Sequence, residues 1–121
     1  MTYKVLIVDD DEDIRDSMVD FLTHEGYLAL GMKGGPQALS HLTWSALPDA
    51  VLLDLHMPGM GGAEVRGKLL ENPRWSAIPV VICSGDSVSK ELKAKVFGVL
   101  AKPFDLERLV EIVKKACESK P

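Results

Sequence analysis

Five polar residues of this 121-residue chain stand where an apolar run ends. Asp9 and Asp10 follow residues 4–8 (KVLIV), Asp54 lies near the end of residues 50–55 (AVLLDL), Ser84 follows residues 79–83 (PVVIC), and Lys102 follows residues 98–101 (GVLA). If these runs are neighbouring parallel strands, their polar ends meet in one crevice. Three carboxylates gathered there repel one another and hold protons more tightly unless a cation neutralises them. Oxygen ligands with room for water and a phosphate oxygen suit Mg²⁺, and no His or Cys of the chain has the spacing of a zinc site. Beside such an ion Lys102 supplies a point charge for phosphate oxygens, Ser84 a hydroxyl donor and Asp54 a carboxylate nucleophile. The chemistry implied is phosphoryl transfer.

Those ends require a chain that alternates strands with helices, and the apolar pattern does so. Residues 4–8, 27–32 (YLALGM), 50–55, 79–83 and 98–101 read as short strands covered on both faces. Between Asp11 and Gly26 the apolar residues Ile14, Met18 and Leu22 recur every fourth position, with acids crowding the first turn, as the helix dipole favours. Pro36 opens a second helix with Ala38, Leu39 and Leu42 inward, and a third spans about 63–70 with Val65, Leu69 and Leu70 inward. A weaker pattern over 87–97 carries Val88, Leu92 and Val96, and the last helix, 105–118, has Leu106, Leu109, Val110, Val113 and Cys117 as its apolar face. This alternation predicts a doubly wound α/β fold over residues 1–121, a single domain with a five-stranded parallel sheet and helices on both faces. Ligands of such sheets bind beyond the carboxyl ends of the strands, where the five polar residues fall.

Composition narrows the partners. The 46% of hydrophobic and 26% of charged residues are those of a globular chain, and a net charge of −4 argues against nucleic acid or an anionic membrane as partner. No apolar run approaches the roughly 20 residues of a membrane span, and the N-terminus turns acidic where a signal peptide would stay apolar. Cys83 and Cys117 read as reduced thiols, and the expected location is the cytoplasm.

Taken together, Val8-Asp9-Asp10, the run Asp54 to Gly62 (DLHMPGMGG), Ser84-Gly85 and Ala101 to Phe104 (AKPF) resemble the motifs of response regulator receiver domains over nearly the whole chain. The spacings fit as well, 45 residues from Asp9 to Asp54 and 30 from Asp54 to Ser84. The resemblance implies the flavodoxin-like strand order 2-1-3-4-5. It implies that Asp54 accepts a phosphoryl group from a phosphohistidine of a histidine kinase or histidine phosphotransfer protein, and that a downstream protein effector reads the result. It further implies that Asp10, Asp54 and the backbone carbonyl of His56 hold Mg²⁺, with Asp9 acting through water, while Ser84 and Lys102 contact the phosphate. Self-phosphorylation and autodephosphorylation at Asp54 are then the only reactions expected of the chain.

Two features depart from that pattern. The family's switch position three residues before the lysine, usually Tyr or Phe, holds Val99, and the nearest preceding aromatic is Phe97. Only 18 residues separate Ser84 from Lys102, so the fourth helix must be short or displaced. With no ring to rotate at Val99, a response would be carried by Ser84, residues 85–89 and the short helix. The chain ends about three residues after the last helix, so no DNA-binding effector is expected, and Ser119-Lys120-Pro121 could begin a linker.

Other readings of the same residues are weaker. The acids at 9, 11 and 13 imitate a calcium loop, but its sixth position is Ile14 and its twelfth Asp20. Gly59-Met60-Gly61-Gly62 lacks the Lys and Ser/Thr of a P-loop, and Ser84 has no G-x-S-x-G spacing. An aspartyl phosphohydrolase of the haloacid-dehalogenase type needs an acid two residues after its nucleophile, where this chain has His56. A binding module that works without phosphorylation is the remaining alternative, suggested by Val99 and the short fourth helix. Trp44 and Trp75 read as packing plugs, and His24 and His41 as surface or capping residues.

Overall fold

A computed structural model describes residues 2–119; Met1 and the last two residues, part of the suggested linker, lie outside them. Along the chain run β1 (Lys4–Val8), α1 (Glu12–His24), β2 (Leu28–Met32), α2 (Gly35–Trp44), β3 (Ala50–Asp54), α3 (Gly62–Glu71), β4 (Val80–Ser84), α4 (Lys90–Lys93), β5 (Gly98–Ala101) and α5 (Leu106–Glu118). All neighbouring strands pair in parallel, in the order β2-β1-β3-β4-β5. The expected doubly wound α/β architecture is therefore the observed one.

Strand alternation divides the core in two. Val5, Ile7, Leu52, Cys83 and Leu100 pack with Met18 and Leu22 of α1 and Leu109, Val113 and Cys117 of α5. Leu6, Val8, Leu53, Val80 and Ile82 face the other way, against Leu42 of α2, Val65 and Leu69 of α3, and Leu92 of α4. Helix starts are fixed locally: the side chains of Asp11, Ser89 and Asp105 accept hydrogen bonds from the amides of Ile14, Leu92 and Arg108, each satisfying a first-turn donor. Among the described residues no helix is long and apolar enough to cross a membrane. Both cysteines are buried, and neither is in a disulfide.

Several sequence expectations need correction. The helical pattern over 87–97 yields a single turn, because the Phe97 amide already donates to Val80 O in the sheet and the Lys95 carbonyl is taken by Arg66 from α3. Ile14, Leu70 and Leu106, read as inward, are 36%, 39% and 51% exposed, whereas Ile112 and Ala116, passed over, are buried in the α5 face. Helical spacing defines a stripe but not where the neighbouring layer stops. Trp44 is 85% exposed at the end of α2 and plugs nothing; Trp75 is half-buried against the second core.

Candidate functional site

Asp9 immediately follows β1 and Asp54 is the last residue of β3, its neighbour in the sheet, so both leave the core at the same edge. Both are buried, and Asp10 beside them is exposed. A carboxylate oxygen from each of the three lies within 4.8 Å of the other two. Lys102, carried just beyond β5, extends Nζ to 3.2 Å from Asp9 Oδ2 and 3.2 Å from Asp54 Oδ1. Four residues read from the sequence as one site are thus brought together.

The hydrogen bonds of Asp9 make it the hub. Its amide donates to Met32 O, its Oδ1 accepts from the Asp11 amide, its Oδ2 meets Lys102, and its carbonyl accepts from Arg15 Nη1 at 2.9 Å. With both carboxylate oxygens engaged, Asp9 is less free than Asp10 to turn toward a ligand.

Burial pushes the Asp54 carboxyl above its ordinary range, and the negative charge of Asp9 adds to this, against the opposing pull of Lys102. Burial alone would lower the Lys102 ammonium, but Asp54 and Asp9 outweigh it and hold that group above its usual value. One lysine shared by two acids cannot neutralise both. Cys83, paired with Asp54 in the sheet, is pushed up to about 12, chiefly by burial, and is no nucleophile.

Three carboxylates against one ammonium leave two negative charges, which one divalent cation balances. An all-oxygen donor set with one exposed member fits Mg²⁺, which keeps several waters and binds through one or two carboxylates plus phosphate. The residues present therefore suit the ion.

The backbone around Asp54 is held by shape. The Leu55 amide donates to Cys83 O, continuing the ladder past β3, and the Gly62 amide returns to Leu55 O at 2.9 Å. A Cβ at Gly62 would stand 2.6 Å from the Asp54 carbonyl oxygen, and Gly59 turns the loop at φ +77°. Gly62 therefore keeps α3 close beneath Asp54.

Ser84 and His56 are placed differently from the acids. Ser84 is buried at the end of β4, but its hydroxyl donates to Asp86 O at 3.1 Å and accepts from the Asp86 amide at 3.0 Å. The His56 imidazole is exposed and turned to the Asp86 carboxylate. Val99 is half-buried against the second core, on the face away from Asp54. Asp86 and Arg15 were missed in the sequence, since they act through loop and backbone contacts that no spacing reveals; Gly62 was read there only as part of the loop motif.

The model of the response regulator receiver domain family matches residues 5–114. Sporulation initiation phosphotransferase F of Bacillus subtilis is 34% identical over 117 residues, covering 95% of this chain and 94% of that protein. Response regulator MprA of Mycolicibacterium vanbaalenii is 37% identical over 114 residues, but the match spans only 48% of its length against 91% of this chain. Among solved structures, a putative response regulator from Chloroflexus aurantiacus superposes with a TM-score of 0.89 at 29% identity, covering 98% of this chain and 99% of the other. The chemotaxis protein CheY4 of Vibrio cholerae superposes at 0.87 with 27% identity, covering 96% and 99%. With its sheet order, its strand-end acids and these matches in agreement, the chain belongs to the response regulator receiver domain family of two-component signalling.

Proposed function

We propose that residues 1–121 act as one phosphoacceptor module, with Asp54 as the residue that takes the phosphoryl group. Response regulators interact with histidine kinases and with downstream effectors. For this chain the donor would be a phosphohistidine of a kinase or of a histidine phosphotransfer protein, and the reader a protein effector. The observation that carries the reading is the Asp54 carboxylate, held beside Asp9, Asp10 and the Lys102 ammonium at a strand end.

In the reaction an Asp54 oxygen attacks phosphorus as the phosphorus–nitrogen bond of the donor breaks, and the electron pair leaves with the imidazole. Charge then spreads over three equatorial oxygens, and catalysis is positioning plus electrostatic stabilisation. Lys102 is placed to pass from its contact with Asp54 to one of those oxygens. Asp10, Asp54 and the His56 carbonyl would hold Mg²⁺, with Asp9 reaching it through water. Bound there, the ion would offset the repulsion between the acids and the incoming phosphoryl group. Ser84 would contribute its hydroxyl after giving up Asp86.

Incubation with acetyl phosphate followed by intact-mass spectrometry tests this. One phosphoryl group per chain is expected, dependent on a divalent cation and absent from Asp54→Asn. Labelling that persists in that variant, or is complete in excess EDTA, overturns the assignment.

A further inference from the structure

Arg15 is in the first turn of α1, outside the acids and the lysine, yet its guanidinium grips the carbonyl of Asp9. That carbonyl and the Asp10 amide share one planar peptide, so holding the oxygen fixes the plane from which the Asp10 side chain departs. The grip belongs to a closed loop of bonds: the Asp11 amide on Asp9 Oδ1, the Arg15 amide on Asp11 O, and Arg15 Nη1 back on Asp9 O. Asp10 itself is exposed, so packing does not set its direction.

The stem of Arg15 reaches the carbonyl by lying over Gly31 in β2, the edge strand. A Cβ at Gly31 would stand 2.9 Å from Arg15 Cγ and 3.0 Å from Cδ. The backbone does not demand glycine there, since among the described residues only Gly26 and Gly59 have positive φ. What the missing side chain supplies is room, most of it for the arginine and some for Val19, whose Cγ2 would stand 3.3 Å away.

We propose that Arg15, seated over Gly31, is a positioning residue that aims Asp10 and thereby sets the divalent-cation affinity of the acidic site. The proposal rests on the reading of Asp9, Asp10 and Asp54 as that site. It makes a prediction opposite in sign to simple electrostatics. A positive charge near three acids competes with a cation, so losing Arg15 as a charge alone would tighten Mg²⁺ binding. Losing it as a support would weaken binding.

Calorimetric titration of the chain with Mg²⁺ decides between these, with melting in EDTA and circular dichroism recorded for each variant. Arg15→Ala is expected to raise the Kd about tenfold, as loss of an outer support of a metal ligand commonly does. Arg15→Lys should fall between that variant and the parent. Gly31→Ala, which crowds the stem, should weaken binding in the parent but add nothing in the Arg15→Ala background. Should Arg15→Ala not fold, Arg15→Lys and Gly31→Ala carry the test. Unchanged or tighter binding in a folded variant overturns the proposal, as does a lower melting temperature in EDTA with the Mg²⁺ affinity intact. Equal effects of Gly31→Ala in both backgrounds overturn the seat. No Mg²⁺ binding by the parent chain overturns the underlying metal-site reading instead, and the inference with it.

Discussion

The His56 imidazole and the Asp86 carboxylate meet at 3.1 Å, joining the loop after β3 to the loop after β4. Asp86 also engages the Ser84 hydroxyl through its own backbone amide and carbonyl. One residue thus ties both loops while occupying the hydroxyl proposed to contact phosphate.

Asp86→Ala separates these two ties, because it removes the carboxylate and keeps the backbone. Both partners of this contact are largely exposed, so the loss should change stability by no more than about 0.5 kcal/mol. Amide resonances of residues 56 and 85–89 should shift while Ser84 stays buried. A melting temperature lowered by many degrees would show that the pair holds more than two loops.

Asp54→Asn should stabilise the metal-free chain. Because burial and Asp9 raise the Asp54 carboxyl, the folded state binds its proton more tightly than the unfolded state does. Stability therefore falls as pH rises from the ordinary carboxylate value to the raised one, and the deficit persists above it. The variant lacks that loss. In EDTA at neutral pH its melting temperature should exceed the parent's by about 2–5 °C, and the gap should close on acidification. A gap that survives at acid pH would place its origin elsewhere.

Arg66 is a buried guanidinium that the sequence reading overlooked. Its Nε donates to Lys95 O at 2.6 Å, with a longer contact from Nη1 to Ile78 O, and burial lowers its proton affinity. Arg66→Ala would strand a carbonyl between the single-turn α4 and β5, at a cost of about 1–3 kcal/mol in urea unfolding. A neutral result would mean that the carbonyl finds water.

A beryllofluoride mimic of the phosphoryl group should shift amide resonances mainly in the loops after β3 and β4. Weaker effects are expected at Val99 and α5, since a β-branched side chain has few rotamers to exchange. A large rearrangement of residues 106–117 would show that Val99 does not limit the response.

β1 and β5 were legible to the residue, each run ending against a charged side chain, Asp9 or Lys102. The other strands were displaced by a residue at one or both ends, where strand and turn share a side chain: Tyr27 precedes β2, Leu55 follows β3, and β4 runs from Val80 to Ser84. Asp9, Asp10, Asp54 and Lys102 were legible because each sits at such an end. Arg15 and Arg66 were not, since their partners are backbone carbonyls, which every residue has. The orientation of the Ser84 hydroxyl belongs to the same class.

The two-faced core has a consequence for how news of a modification could travel. By alternation Asp54 and Lys102 share the side of Ile7, Cys83 and Leu100, and Cys83 feels the charges of Lys102, Asp54 and Asp9 from that side. Ser84 and Val99 belong to the opposite side, with Ile82 and Leu92. Between the two sides stands the sheet, filled with close-packed side chains. A phosphoryl group on Asp54, as proposed, would lie on one side and Val99 on the other, with Ser84 at the end of β4 between them.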